Sequence, residues 1–326
     1  MPDYSPSETR VVNSLRFDSQ SSSWTHEAEN QQFDEENDPV LRLHLKDVSY
    51  CPNLLPVFEH SPSICSLEIQ FSTSFSSFEE ISRRGLSIDD AKMLARCMAI
   101  SQCLIEIHLP NNNINDDVLY AMFPGLMQCL QLVDLDLSYN QISDSGAKLL
   151  SNLMRREYVL GSLNLSHNHI TSSGCSRMAQ RMNDSLCLYS LDLSVNRIDD
   201  TGAIDMFSAL CSNETLLSLS LSCNELTERC MAFIAHSLRG NRTAKVIDVS
   251  GNGVAGQLTE AHFDILEDSF ASNTTLEVLD LRGCGFSSEH IARLTRERKA
   301  NDRILIPLLD SAKLSPTQFV PSPTVA

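Results

Sequence analysis

One recurrence limits what this chain can fold into more than any other feature. DLDLSYNQI (Asp134 to Ile142) returns as SLNLSHNHI (Ser162 to Ile170) and as SLDLSVNRI (Ser190 to Ile198). Aligned as L-x-x-L-x-L-x-x-N-x-I, the first position falls at Leu104, Leu132, Leu160, Leu188, Leu216, Ala244 and Leu276. The step is 28 residues five times and 32 once. A fixed period with a polar residue locked at one phase marks a unit that buries its apolar face only against its neighbours, so the chain grows by stacking.

Each unit reads as a strand followed by a helix. The alternating pairs Leu135 and Leu137, Leu163 and Leu165, Leu191 and Leu193, and Leu219 and Leu221 suit a short strand with one face inward. Polar clusters ending in glycine follow the turn: Ser143 to Gly146, Thr171 to Gly174 and Asp199 to Gly202. These are expected to hold the free N–H groups of a helix first turn. Apolar faces such as Ala147, Leu149, Leu150 and Leu153 come next. The expected fold is an α/β solenoid, with parallel strands on a concave wall and helices on the convex one. A helix is wider than the roughly 4.8 Å strand spacing, so the stack must curve.

Four segments follow from this reading. Residues 1–38 carry nine acids and two bases and are rich in Ser, Gln and Asn, so they are expected to be a disordered acidic leader containing Trp24. Residues 39–103 are expected to be worn capping repeats, with Val40, Leu43 and Leu45, then Ile64, Leu67 and Ile69, in repeat phase, and a protruding loop over 71–86. A helix over Ile88 to Ser101 follows, capped by Asp89 or Asp90. Residues 104–298 form seven repeats. The sixth is lengthened by four residues, and GNGVAGQLTEAHFD should bulge there. In the last, Cys284 replaces the asparagine. Residues 299–326 are expected to be a docking segment, ILIPLLD, and an extended Pro-rich tail with Ser315-Pro316 and Ser322-Pro323.

Asn112, Asn140, Asn168, Asn196, Asn224 and Asn252 hold one phase, where an amide can serve two coils at once. Their expected role is structural. The positions alternating with the core leucines face the concave wall: Glu106, His108, Asp134, Asp136, Asn164, Asp192, Ser220, Asp248 and Asp280. This carboxylate-rich stripe is either a dock for a basic segment or simply a solvated face. Asp248 and Asp280 should lie on adjacent rungs, where like charges repel.

The formal charge of −17 disfavours nucleic acid and anionic membranes as partners and favours basic proteins. No apolar run reaches the length of a membrane span, and MPDYSPSETR lacks the apolar core of a signal peptide. Eleven scattered cysteines without a C-x-x-C pair read as reduced, buried small side chains. The sequon Asn213-Glu214-Thr215 is expected to be chance. No phosphate loop, H-E-x-x-H or nucleophile constellation is present. His167-Asn168-His169 lacks a third metal ligand nearby. No enzyme activity, cofactor, metal or small-molecule substrate is expected.

The repeats of Leu104 to Arg298 resemble the ribonuclease-inhibitor-like group of leucine-rich repeats. A narrower likeness begins at Leu41 and covers about 255 residues. LRLHL and SLEIQF before DDAKMLARCM, then NDDVLYAMFPGLMQCLQLVDLDLSYNQISDSGAKLL, then LEVLDLRGCGFSSEHIARLTRERKANDR resemble the T-complex-associated testis-expressed protein 1 family, subunit 5 of the nexin–dynein regulatory complex. The resemblance implies a non-enzymatic axonemal scaffold in cilia or flagella, part of the cytoskeleton, with coiled-coil subunits as partners. The competing expectation is a cytosolic regulator with such repeats, either a GTPase-activating protein or an inhibitor or adaptor.

Overall fold

The computed structural model describes residues 15–18, 23–26, 40–45, 51–71, 85–101 and 103–299. Strand β1 (Leu15–Asp18) pairs antiparallel with β2 (Ser23–His26), setting Phe17 opposite Trp24. Over those eight residues the leader has a regular backbone where disorder was expected, because Leu15, Phe17, Trp24 and Thr25 are strand formers. Nine parallel strands then form one sheet in chain order. They are β3 (Val40–Leu45), β4 (Ser66–Phe71), β5 (Glu106–His108), β6 (Asp134–Asp136), β7 (Ser162–Asn164), β8 (Ser190–Asp192), β9 (Ser218–Ser220), β10 (Val246–Asp248) and β11 (Val278–Asp280).

The pairing keeps step from coil to coil. Leu67, Ile107, Leu135, Leu163, Leu191, Leu219, Ile247 and Leu279 are successive register partners. All eight are essentially sealed from solvent. A one-residue slip would turn every one of them to the wrong face. Helices such as Ser172–Met182 and Asp200–Ser212 return the chain, each burying one face: Cys175, Met178, Ala179 and Met182 in the first, Ala203, Met206, Phe207 and Leu210 in the second.

The asparagine amides join the coils. Asn168 Nδ2 donates to Leu137 O of the preceding coil at 3.0 Å, and to Leu165 O and Ser166 O of its own. Its Oδ1 accepts from Ile142 N at 2.9 Å. Asn140, Asn196, Asn224 and Asn252 repeat the pattern, each donating to the leucine carbonyl 31 residues back. In the last repeat the Cys284 thiol takes the asparagine's place and reaches Val249 O at 3.1 Å, the equivalent carbonyl. Just before each ladder residue the backbone turns left-handed, at Tyr139, His167, Val195 and Cys223 with φ of 51–56°. Each of these N–H groups is held by the next coil, as in Val195 N to Ser222 O at 2.8 Å.

A second ladder runs along the opposite edge. Asn241 Nδ2 donates to Leu210 O at 2.8 Å and Asn213 O at 2.9 Å, and its Oδ1 accepts from Thr243 N and Ala244 N. Asn213 and Asn273 do the same in their coils. The Asn-x-Thr triplets at 213, 241 and 273 are therefore helix-to-strand turns, and the one at 213 is not chance.

The helix caps also cross between coils. Asp144 Oδ1 accepts from Thr171 N at 2.8 Å and Gly174 N at 3.0 Å of the following coil. Asp116 serves Ser143 N and Gly146 N, and Asp200 serves Thr227 N, in the same way. Ser143 makes no side-chain cap on its own helix.

Several expectations are corrected. Leu41, not Leu43, pairs with Leu67, and Leu43, not Leu45, pairs with Ile69, so the first coil lies two residues earlier than its spacing suggests. Leu41, Leu43 and Leu45 all lie in one alternation, so a two-residue slip keeps leucines on the same face and only pairing chooses the register. Helix Ile88–Ile100 is capped by Ser87 in a reciprocal box with Asp90, since the side chain preceding the helix is the one placed to accept its N–H groups. The four extra residues of the sixth repeat do not disturb the sheet. They form a turn after Val254, which stays buried, and Asn252 keeps its ladder bonds. Arg293 ties the last helix, Ser288–Lys299, to its neighbour: it bonds Glu260 and Asp264 of helix Glu260–Ser272 and lies 4.7 Å above the Phe263 ring. Most of the loop at 71–86, and nearly all of the segment 299–326, lie outside the described residues.

Asn168→Leu strands one buried N–H and three carbonyls, so it should lower unfolding free energy by about 1–3 kcal/mol in chemical denaturation. Asn224→Leu, at a half-buried rung, should cost less. An unchanged midpoint for Asn168→Leu would remove this account of the ladder.

Candidate protein-binding face

Because the strands keep register, side chains of one phase line up across the sheet. One column runs Glu106, Asp134, Ser162, Ser190, Ser218, Val246 and Val278. A second runs Glu68, His108, Asp136, Asn164, Asp192, Ser220, Asp248 and Asp280. The expected concave residues are thus brought together in two files.

They are not equally free. Asp136 Oδ1 accepts from Ser138 N at 2.8 Å, Asn164 from Ser166 N at 3.0 Å, Asp192 from Ser194 N at 2.8 Å and Asp248 from Ser250 N at 2.8 Å. A short acceptor is needed here to close the backbone turn leaving the strand. That need explains the L-D-L-S wording without a partner. These side chains are half-buried rather than exposed. Asp280 is 7% exposed and clamped by Arg282, whose Nε lies 2.9 Å from both carboxylate oxygens. Asp248 and Asp280 do occupy adjacent rungs, and burial pushes the Asp248 carboxyl above the usual carboxylate range. The Lys245 and Glu277 side chains also pair, at 3.3 Å. The last coils therefore carry little open charge.

At the other end the acidity is open. Asp134 is 37% exposed and holds His108 Nε2 at 3.5 Å. The bond to Asp134 raises the His108 imidazole above its ordinary value, with Asp136 and Glu106 adding to the effect. The Glu106 file is thus polarised, with carboxylates on its first two rungs and hydroxyls on the next three, while the neighbouring file keeps Asp192 in the middle and compensated charge at the end.

A third column escaped the sequence reading. Val133 N donates to Ile105 O, Gly161 N to Val133 O, Tyr189 N to Gly161 O and Leu217 N to Tyr189 O, each at 2.8 Å. Ile105 is 37% and Tyr189 39% exposed, with Val133 and Leu217 half-buried. Gly161 has no side chain and the Tyr189 ring lies in the space a Cβ would need, beside Val133. Burial raises the Tyr189 phenol, and the charges of Asp134 and Glu106 raise it further. The ring therefore stands near the acidic rungs. The available signal was the apolar character of the residue just after the first leucine, in four of these five coils.

Several other chemistry-bearing groups serve the packing. Burial pushes the Cys97 and Cys129 thiols up to about 12 and Cys284 to about 11, so they stay protonated and act as small apolar side chains. His167 stacks on Tyr139 with ring centroids 3.8 Å apart, while His169 is exposed beyond the ladder residue. Among the described residues no group of three His, Cys, Asp or Glu side chains could hold a metal ion, and no helix is long and apolar enough to cross a membrane.

A family model described as Leucine Rich repeat matches residues 128–151, 160–179, 185–207, 212–229 and 272–289. These units are leucine-rich repeats. No curated protein matches the chain. Among solved structures, leiomodin-1 actin-binding site 2 is 16% identical, with 66% of this chain and 98% of that one covered and a TM-score of 0.38. An internalin from Listeria monocytogenes is 17% identical, with 72% and 66% covered and a TM-score of 0.40. A leucine-rich repeat solenoid is a scaffold for protein–protein contact, and its parallel sheet is the broad face offered here.

The raised Asp248 value means the folded chain binds that proton more tightly than the unfolded chain. Its contribution to stability is complete below the unfolded carboxylate value and is lost as pH rises through the raised one. Asp248→Asn keeps an acceptor for Ser250 N, as Asn164 does for Ser166 N. It should raise the melting temperature by about 1–3 °C at pH 7. The gain should disappear near pH 3. A loss at pH 7 would contradict the assignment.

Proposed function

We propose that the chain is a non-enzymatic scaffold that seats a cationic protein segment on its concave face. The observation that carries this reading is the set of carboxylates on adjacent early rungs, Glu106 beside Asp134 and Asp136 beside His108, on coils joined by the asparagine ladder. Opposite charge on a partner would steer its approach and set its register on the rungs.

The finer reading is that the chain serves as a subunit of the nexin–dynein regulatory complex in a ciliary or flagellar axoneme. Its support is the likeness of DDAKMLARCM, of NDDVLYAMFPGLMQCLQLVDLDLSYNQISDSGAKLL and of the closing LEVLDLRGCGFSSEHIARLTRERKANDR to that subunit family. Coiled-coil subunits offer long basic helices of the kind an acidic wall accepts.

Fractionation of motile cells tests the reading. The chain should sediment with axonemes after nonionic detergent and moderate salt, and recovery wholly in the detergent-soluble fraction would contradict it. Asp134→Lys replaces an open carboxylate with a cation and should leave thermal unfolding unchanged within about 0.5 kcal/mol. The variant should leave axonemes at lower salt than the unaltered chain. Release at the same salt would show that the acidic rungs are not the contact.

A further inference from the structure

Resting on the concave-face reading, we infer that the partner is an amphipathic α-helix whose apolar stripe lies along the column Ile105, Val133, Tyr189 and Leu217 while its cationic flank meets Glu106, Asp134 and Asp136. The charge alone does not require this, because any flexible basic segment satisfies carboxylates. The apolar column adds a second demand. Its backbone is bonded rung to rung from Ile105 to Leu217, with the Tyr189 ring covering the gap at Gly161, and it borders the acidic file, where Ile105 leads into Glu106 and Val133 into Asp134. Two of its members are more than a third exposed. Large apolar side chains on a wall that could carry serine or threonine there give up solubility for contact area.

Length agrees with a helix. Five rungs span four strand spacings, about 19 Å, which is the rise of about 13 helical residues. Tyr189 is the expected anchor. Its ring is held over Gly161, so little side-chain freedom is lost on binding, and the charges of Asp134 and Glu106 that act on its phenol would also draw a partner lysine or arginine. The column ends in charge, since Lys245 and Glu277 continue it beyond Leu217. A partner stripe therefore runs out at the sixth rung, which fixes where the helix ends along the wall.

The test uses the full chain and two peptides of about 18 residues made only of leucine and lysine. One is arranged with an apolar face and the other is shuffled so that no face forms. Titration calorimetry should give the amphipathic peptide at least about tenfold tighter binding, and Tyr189→Ala should remove that advantage. Ile105→Gln, at an exposed position, should weaken the amphipathic peptide alone and serves if Tyr189→Ala lowers the melting temperature. Equal binding of both peptides, insensitive to either substitution, would overturn the inference while leaving the acidic-wall reading intact. If neither peptide binds, both fall. Self-association of the chain that Tyr189→Ala abolishes would make a second copy the occupant and would also overturn it.

Discussion

The structure depends on one interaction, an amide that spans two coils. A three-residue strand such as Ser162–Asn164 can make only a few ladder bonds, too few to fix a rung by itself. The coil then turns away through a left-handed residue, where backbone groups lose their partners. Asn168 restores them on both sides, and its neighbours at 140, 196, 224 and 252 do so in turn. Each amide net contributes about 1 kcal/mol, yet an unmet buried group costs more than that, so the set behaves as a requirement rather than a bonus. The second set, at 213, 241 and 273, closes the other edge for the later coils.

Locking both edges has a consequence for function. When rungs cannot slip, a residue's phase in the repeat decides its place on the wall, and side chains fall into straight files. Here one file is largely apolar, one is acidic at its first rungs, and one is mostly turn-closing carboxylates and an amide. The carboxylates that close turns keep at most one oxygen for a partner. Asp136 and Asp192 spend an oxygen on Ser138 and Ser194, whereas Asp134 carries only His108. Charge on the late coils is absorbed by Arg282 and Lys245. A wall of uniform acid composition in the sequence is thus strongly directional in space.

Much of this was legible from the residues. The period, the strand-helix alternation and the role of the asparagines follow from spacing and from what an amide can donate and accept. Cys284 could be seen to replace an asparagine, though not that its thiol would still reach the Val249 carbonyl. Three things were not readable, for physical reasons. Register in the first coil was ambiguous because Leu41, Leu43 and Leu45 form one unbroken leucine phase, which a two-residue slip leaves unchanged. The Asn-x-Thr turns resemble a modification signal, and only the carbonyls of the preceding coil reveal their purpose. The column through Tyr189 depends on Gly161 having no side chain in the adjacent rung, a relation between residues 28 apart that no local pattern shows.

Amide hydrogen exchange at the turns tests the central claim most directly. Ile114, Ile142, Ile170, Ile198 and Leu226 lie outside the strands, and the N–H of each donates to the asparagine of the following coil. If the amide ladder holds the solenoid, these five N–H groups exchange as slowly as those of Leu135, Leu163 and Leu191 at the strand centres. Exchange at the rate of exposed loop amides would mean the ladder is a passive feature of the fold and that the strands alone keep the rungs in register.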